Sequence, residues 1–221
     1  MALVPMFAAF EAHVVNVTAT IENALYVHPA ERTFGTVFPQ EHLEQGIFIT
    51  FSNSFSASNQ TRVGTVEYVI KQKPKPRPAY VQQVGVEAAR DYCHLNSPAD
   101  AGDLADPYYA NCMPNLCPYL SKTPDGFPTP SNDIGVPPFH DPDDPANFAH
   151  GKINKFGVDV GDNWIIDLAV PCFKGQCAQD WNQFVLGLNP NAGDPAQYQL
   201  PQSLEHQLFG CDLWVEVTDI Y

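Results

Sequence analysis

Positive charge is scarce in this sequence. Its 221 residues include 11 Lys and Arg residues against 25 Asp and Glu residues, so the formal net charge is −14. Such a chain repels phosphate groups, because proteins bind nucleic acids mainly by neutralising phosphates with Lys and Arg. The composition therefore argues against a nucleic acid partner. Hydrophobic residues still make up 44% of the chain, which supplies enough apolar material for a folded core.

Long apolar runs and catalytic motifs are also missing. No run approaches the roughly 18 apolar residues of a transmembrane helix, so we predict no stable membrane span. The nearest approach to a zinc-peptidase helix is Glu-His-Leu-Glu at residues 41–44, which lacks the second histidine. The chain has no Gly-x-Ser-x-Gly nucleophile motif and no phosphate-binding loop. We therefore predict that the protein is not an enzyme.

Proline and glycine are abundant, with 21 and 14 residues. They favour short strands joined by turns over a helical bundle. Alternating apolar and polar residues predict strands at residues 14–27, 46–52, 63–72, 163–170 and 211–220, with shorter ones at 35–38, 80–86 and 152–158. Short helices are expected at residues 180–186 and 204–208. The pattern predicts an all-β, jelly-roll-like β-sandwich.

One long segment, residues 91–150, differs from the rest. It contains 11 of the 21 prolines, nine acidic residues and Lys122 as its one basic residue. Because it shows no apolar periodicity, we interpret it as an irregular Pro-, Asp- and Cys-rich insertion. Residues 18–221 are then a single jelly-roll domain that carries this insertion, preceded by an apolar segment at residues 1–17.

The cysteines favour disulfides and an oxidising compartment, so we predict a secreted protein at the cell surface or outside the cell. The six candidates are Cys93, Cys112, Cys117, Cys172, Cys177 and Cys211. The most economical pairing joins Cys112 to Cys117 and Cys172 to Cys177, which leaves Cys93 for Cys211. Other pairings stay open, and so does a zinc site at the two close pairs.

Three carboxylates lie within four residues at Asp141, Asp143 and Asp144. Clustered oxygen ligands suit Ca²⁺, although a solvated acidic turn has the same pattern. We name these residues as the candidate Ca²⁺ site and predict no other cofactor. Trp214 lies on the polar face of its predicted strand, and it is the tryptophan that we expect to be exposed. Trp164 lies on an apolar face and is expected in the core.

The amino terminus is almost wholly apolar, with MALVPMFAAF as its first ten residues. It is similar to the end of a secretory signal sequence, although it shows no clean cleavage site. An apolar segment on an acidic chain must be buried, either in its own fold or in a neighbouring molecule.

Several phrases of the sequence resemble one family. The apolar start runs into AHVVNVTATIENAL, and FGTVFPQEHLEQGIFITFSNSF, VEYVIKQKPKP, NWIIDLAVPCF and FGCDLWVEVTDIY follow. This arrangement resembles the TasA/camelysin family of secreted, filament-forming proteins. The resemblance covers residues 12–82 and 152–221 and does not include the insertion. Camelysin has been classed as a metallopeptidase, but the missing zinc-helix motif gives no ground for that activity here.

The resemblance implies a jelly-roll subunit of an extracellular filament, either a biofilm matrix fibre or a cell-surface fibre. Its main partner would be another copy of itself, alongside other matrix or cell-surface components. Polymerisation would be head to tail by donor-strand complementation, in which an amino-terminal strand completes the sheet of the next subunit. The implied donor residues are Ala9, Phe10, Ala12, His13, Val14, Val15 and Val17.

Two other functions remain open from the sequence. One is a secreted cell-surface binding module that recognises glycan or Ca²⁺ through its acidic insertion and Trp214. The other is a secreted hydrolase whose site carries no recognisable motif.

Overall fold

The fold consists mainly of two antiparallel sheets in a computed structural model that describes residues 19–57, 63–126 and 132–221. The first sheet has the order β1 (Leu25–His28), β2 (His42–Phe51), β6 (Gly161–Ala169) and β4 (Leu120–Pro124). The second has the order β5 (Ala149–Asn154), β3 (Thr65–Pro74) and β7 (Cys211–Ile220).

Short helices connect the strands. The α-helices are α1 (Asn53–Ala57), α2 (Pro78–Val84), α3 (Val86–Leu95), α4 (Pro107–Asn111) and α5 (Trp181–Leu188). Single 3₁₀ turns occur at Cys117–Tyr119, Pro145–Asn147, Pro195–Tyr198 and Gln202–Leu204. The prediction of a mostly β fold is confirmed, and two sheets of this kind are compatible with a β-sandwich.

One hydrophobic core joins the two sheets. β3 contributes Val66, Tyr68 and Ile70, and β6 contributes the alternate residues Trp164, Ile166 and Leu168, all of them buried. The two-residue period puts each set on one face of its strand, so the two faces pack together. The indole Nε1 of Trp164 donates a hydrogen bond of 2.8 Å to the Tyr68 hydroxyl. The expectation that Trp164 belongs to the core is confirmed.

The two sheets are linked along one side by residues 134–136. Val136 forms a bridge with Lys122 of β4, and Ile134 forms a bridge with His150 of β5. Both sheets therefore share this short stretch as a partner. The opposite side is formed by β1 and β7, the remaining outer strands.

Four of the longer predicted strands are confirmed. Residues 46–52, 63–72, 163–170 and 211–220 correspond to β2, β3, β6 and β7. The shorter strand predicted at residues 152–158 overlaps β5 but begins and ends too late. The helix predicted at residues 180–186 is α5, whereas the one at residues 204–208 is reduced to a 3₁₀ turn that ends at Leu204.

Three strand predictions differ from the structure. Residues 80–86 are helical, because Pro78 occupies a first-turn helix position and Gly85, at φ 88°, separates α2 from α3. Residues 35–38 form no strand; Gly35 itself has a positive φ, and a turn that contains Gln40, also at positive φ, follows them. Of the described part of 14–27, the structure has a strand only from Leu25 onward.

The segment 91–150 contributes more regular structure than we predicted. α4 lies within it, and β4 pairs with β6 from Leu120↔Leu168 to Pro124↔Trp164. The strand escapes sequence analysis because it is short and carries Lys122 at a fully buried position. Part of the segment is therefore a strand of the first sheet, so the prediction of a wholly irregular insertion is wrong for these residues.

All six cysteines form disulfides, as predicted. The Cys172–Cys177 bond is the one that the economical pairing contained. The other two bonds join Cys93 to Cys112 and Cys117 to Cys211, so the pairing of Cys112 with Cys117 and of Cys93 with Cys211 is wrong. The observed pairing is set by contacts between parts of the chain that are far apart in sequence.

α3 and α4 pack together and bring Cys93 to Cys112, in a small second cluster of buried residues. A bridge between Asn115 and Gly210 brings Cys117 to the start of β7.

The three bonds should differ in their contribution to stability. A disulfide stabilises a fold largely by restricting the unfolded chain, and the restriction grows with the length of the loop. Replacing Cys117 and Cys211 with Ser, at a separation of 94, should lower the free energy of unfolding by about 4–5 kcal/mol. The matched change at Cys172 and Cys177, at a separation of 5, should cost about 2 kcal/mol. Urea unfolding at equilibrium measures both, and equal losses would contradict the loop-length argument.

Candidate functional site

The predicted donor residues lie outside the described part of the chain. They are Ala9, Phe10, Ala12, His13, Val14, Val15 and Val17. The structure therefore neither supports nor opposes a strand at these positions. It does describe the residues that follow them and the outer strands of both sheets.

Among the residues described at this end of the chain, Asn23 and Ala24 form hydrogen bonds with Ser52. The backbone N–H of Ser52 donates to the Ala24 carbonyl at 2.8 Å, and the Ser52 hydroxyl donates to the Asn23 carbonyl at 2.7 Å. Ahead of these contacts, residues 19–23 are exposed and form no strand, and the side chain of Ile21 is 95% exposed. Ala19 and Ile21 are thus left in solvent.

β7 has a long open edge. One side of β7 pairs with β3 from Val66↔Ile220 to Pro74↔Cys211. Within the three described ranges, no strand pairs with its other side. Val217 and Ile220 are also exposed. An open edge presents unpaired N–H and C=O groups, which makes it a template for another strand.

Apolar side chains are exposed at the end of the fold where the chain enters. Phe156, Val158 and Val160 lie in the turn between β5 and β6, and all three are exposed. A hollow of about 300 Å³ is lined by Thr50, Phe51, Ser56, Lys155, Phe156 and Val160. The carbonyl of Tyr221 accepts hydrogen bonds from the N–H groups of Gly64 and Thr65, which places the end of β7 here too. Clustered apolar exposure of this kind is typical of interaction surfaces.

The candidate Ca²⁺ residues form turn contacts with the backbone. The Asp141 carboxylate accepts from the Asp143 N–H at 3.0 Å, and the Asp144 carboxylate accepts from the Ala146 N–H at 2.9 Å. In the ranges that the structure describes, no group of three His, Cys, Asp or Glu side chains is arranged to hold a metal ion. The structure therefore does not bring Asp141, Asp143 and Asp144 together as a ligand set.

Trp214 is partly covered. Its side of β7 faces α3, where the His94 ring lies 5.0 Å from the indole and the Arg90 guanidinium lies 5.9 Å from it. Arg90 also forms an ion pair of 3.1 Å with Asp212. With 37% of its surface exposed, Trp214 is exposed as we expected, but α3 restricts its use as a stacking platform for a glycan.

Sequence analysis missed a buried carboxyl group in the core. The Tyr68 hydroxyl donates to Asp162, and Trp164 donates in turn to Tyr68. Burial raises the pKa of Asp162 to about 7, and the nearby Asp133 and Asp159 carboxylates reinforce this shift. Burial also raises the pKa of Asp133, to about 6. An aspartate at the start of a strand is ordinary, so the sequence carries no signal of this group.

Asp162 should make stability depend on pH. The pKa of Asp162 is higher in the folded protein than in the unfolded chain, so the folded state binds the proton more tightly. The stabilisation that this proton gives to the folded state is therefore lost as pH rises from about 4 to about 7. Asp162→Asn should remove this pH dependence. The resulting change in the free energy of unfolding across the range is at most roughly 1.4 kcal/mol for each unit by which the two pKa values differ. Urea unfolding at several pH values, with the exposed Asp91→Asn as control, measures the effect. A stability difference between Asp162→Asn and the unaltered protein that stays constant across this pH range would contradict it.

Comparisons of the chain with protein-family models, with curated proteins and with solved structures gave no match. Among the described residues, none of the helices has the length and apolar character needed to cross a membrane.

Proposed function

We propose that this protein is a structural subunit of an extracellular filament, a biofilm matrix or cell-surface fibre that grows head to tail by donor-strand complementation. Residues 9–17 of one subunit would pair with the open edge of β7 in the next. The two sheets would then form a jelly-roll-like sandwich that is completed by the neighbour's strand. The observation that carries the proposal is the long open edge of β7.

The dimensions and chemistry of the two surfaces match. β7 has ten residues, and the donor segment has nine. Backbone hydrogen bonds would supply the pairing, and Val15 and Val17 would pack beside the exposed Val217 and Ile220. Donor and acceptor are different surfaces, so the contact is heterologous and can repeat without closing.

The exposure of residues 19–23 also supports the proposal. A segment whose apolar face is left in solvent by its own subunit is free to lead a preceding strand toward a neighbour. The three disulfides are consistent with an extracellular protein. They also suit a fibre subunit that must stay folded outside the cell.

Removal of the donor segment tests the proposal directly. The variant that lacks residues 1–17 should remain monomeric in sedimentation and show no fibres by negative-stain electron microscopy. The matched control lacks residues 1–8 and keeps every proposed donor residue, so it should still polymerise. Polymerisation of both variants to the same extent would show that residues 9–17 are not the donor.

A charged residue on the acceptor edge should block assembly from the other side. Val217→Lys places a charge at the open edge of β7, where it opposes strand addition. The control Ile134→Lys makes the same change at an exposed position on the side where residues 134–136 link the two sheets. We expect fibres from the control and none from Val217→Lys.

The two defective variants should complement each other. Val217→Lys keeps a donor, and the variant lacking residues 1–17 keeps an acceptor, so a mixture should form a one-to-one complex in sedimentation. A mixture that stays monomeric would contradict β7 as the acceptor, since each partner would be folded yet unable to bind.

A further inference from the structure

A second polar cluster is buried between the two sheets. It consists of Gln72 on β3, Lys122 on β4 and His140 in the loop before β5, and each is at least nine-tenths buried. Lys122 is fully buried and contacts the side-chain carboxamide of Gln72. The Nε2 atom of His140 lies 3.0 Å from the same carboxamide. An amine, a carboxamide and an imidazole therefore lie together at a buried site.

No carboxylate of the described residues forms an ion pair with the Lys122 amine, although buried lysines are normally paired. Burial alone lowers the pKa of Lys122 to about 7. A substantial fraction of the amine is therefore neutral near neutral pH, and the neutral amine is the nucleophilic form.

The His140 ring is held by contacts at both of its nitrogens. Its Nδ1 lies 2.8 Å from the Pro137 carbonyl oxygen and donates to it in the neutral ring. Burial and the nearby Lys122 lower the pKa of His140 to about 4, so the ring is neutral. The Nε2 atom lies 3.0 Å from the carboxamide of Gln72, so the ring holds the group that Lys122 contacts.

We propose that Lys122 and Gln72 react to form an intramolecular isopeptide bond that links the two sheets. The Lys122 Nζ attacks the Gln72 Cδ, and the bond between Cδ and Nε2 breaks. The attacking nitrogen loses a proton and the departing nitrogen gains one, so the departing group leaves as ammonia. The reaction requires no oxidant, reductant or other co-reactant.

The position of the cluster favours this reaction and gives the bond a role. The reacting groups are held in contact by the folded core, which replaces an encounter in solution with a fixed geometry. Water is excluded, so hydrolysis does not compete. The bond would join β3 to β4 beside the Cys117–Cys211 disulfide, and it would resist separation of the sheets under tension. It does not depend on the filament proposal.

The intact mass of the isolated protein tests the inference. After disulfide reduction, the mass should fall below that of the sequence by one ammonia. Proteolysis should yield a branched peptide that joins the region around Gln72 to the region around Lys122. A mass equal to that of the sequence would overturn the proposal. A mass lower by one ammonia without the branched peptide would overturn it as well.

Two variants sharpen the test. Gln72→Glu would form the same amide with loss of water, so its final mass should equal that of the cross-linked unaltered protein. Lys122→Met keeps a long apolar side chain in the core but removes the nucleophile, so it should show the full mass of its sequence. A mass deficit of one ammonia in Lys122→Met would show that the loss arises elsewhere and would overturn the proposal.

The role of His140 has its own readout. His140→Phe keeps a ring in the core but removes the contact of Nε2 with the Gln72 carboxamide, so freshly folded protein should accumulate the cross-link more slowly. Time-resolved mass spectrometry after refolding measures this rate. An unchanged rate would show that His140 does not assist the reaction.

Discussion

The packing of β3 against β6 is the interaction on which the rest of this structure depends. Each is an inner strand of its sheet, with β6 between β2 and β4 and β3 between β5 and β7. Their facing side chains form the centre of one core, in which Trp164 donates a hydrogen bond to Tyr68. The outer strands, the disulfides and the helices are arranged around this contact.

The packing of β3 against β6 also brings polar groups together inside the core. Tyr68 brings a hydroxyl to the centre, and Asp162 accepts its hydrogen bond. Toward the other end of β3, Gln72 meets Lys122 and His140. A buried polar group is costly unless its hydrogen-bonding capacity is satisfied, so each cluster restricts how the sheets can be placed. The proposed isopeptide bond would make one of these restrictions covalent.

The edges of the two sheets give the protein its asymmetry. Residues 134–136 cover one side, whereas the opposite side retains the open edge of β7 and the exposed residues near the entry of the chain. A net charge of −14 opposes unspecific association between copies. Specific backbone pairing along β7 is the kind of contact that can overcome this repulsion, which is why the open edge carries the filament proposal.

Strand positions with strong alternation could be predicted from the sequence. Residues 211–220 illustrate this, because Leu213, Val215 and Val217 repeat with the period of a strand and β7 has these bounds. Weak or short patterns could not be predicted. Residues 80–86 alternate by chance in a stretch that Pro78 and Gly85 direct into helices, and β4 carries a lysine where a buried strand normally has an apolar residue.

The sequence by itself determined that the chain is acidic, mostly β and disulfide-bonded, because composition, periodicity and an even number of cysteines are local properties. Only the tertiary structure decided which cysteines pair, which edge stays open and which polar residues meet in the core. These outcomes depend on residues far apart in the chain, such as Cys117 with Cys211 and Gln72 with Lys122. No local pattern encodes such contacts, since the packing of the two sheets creates them.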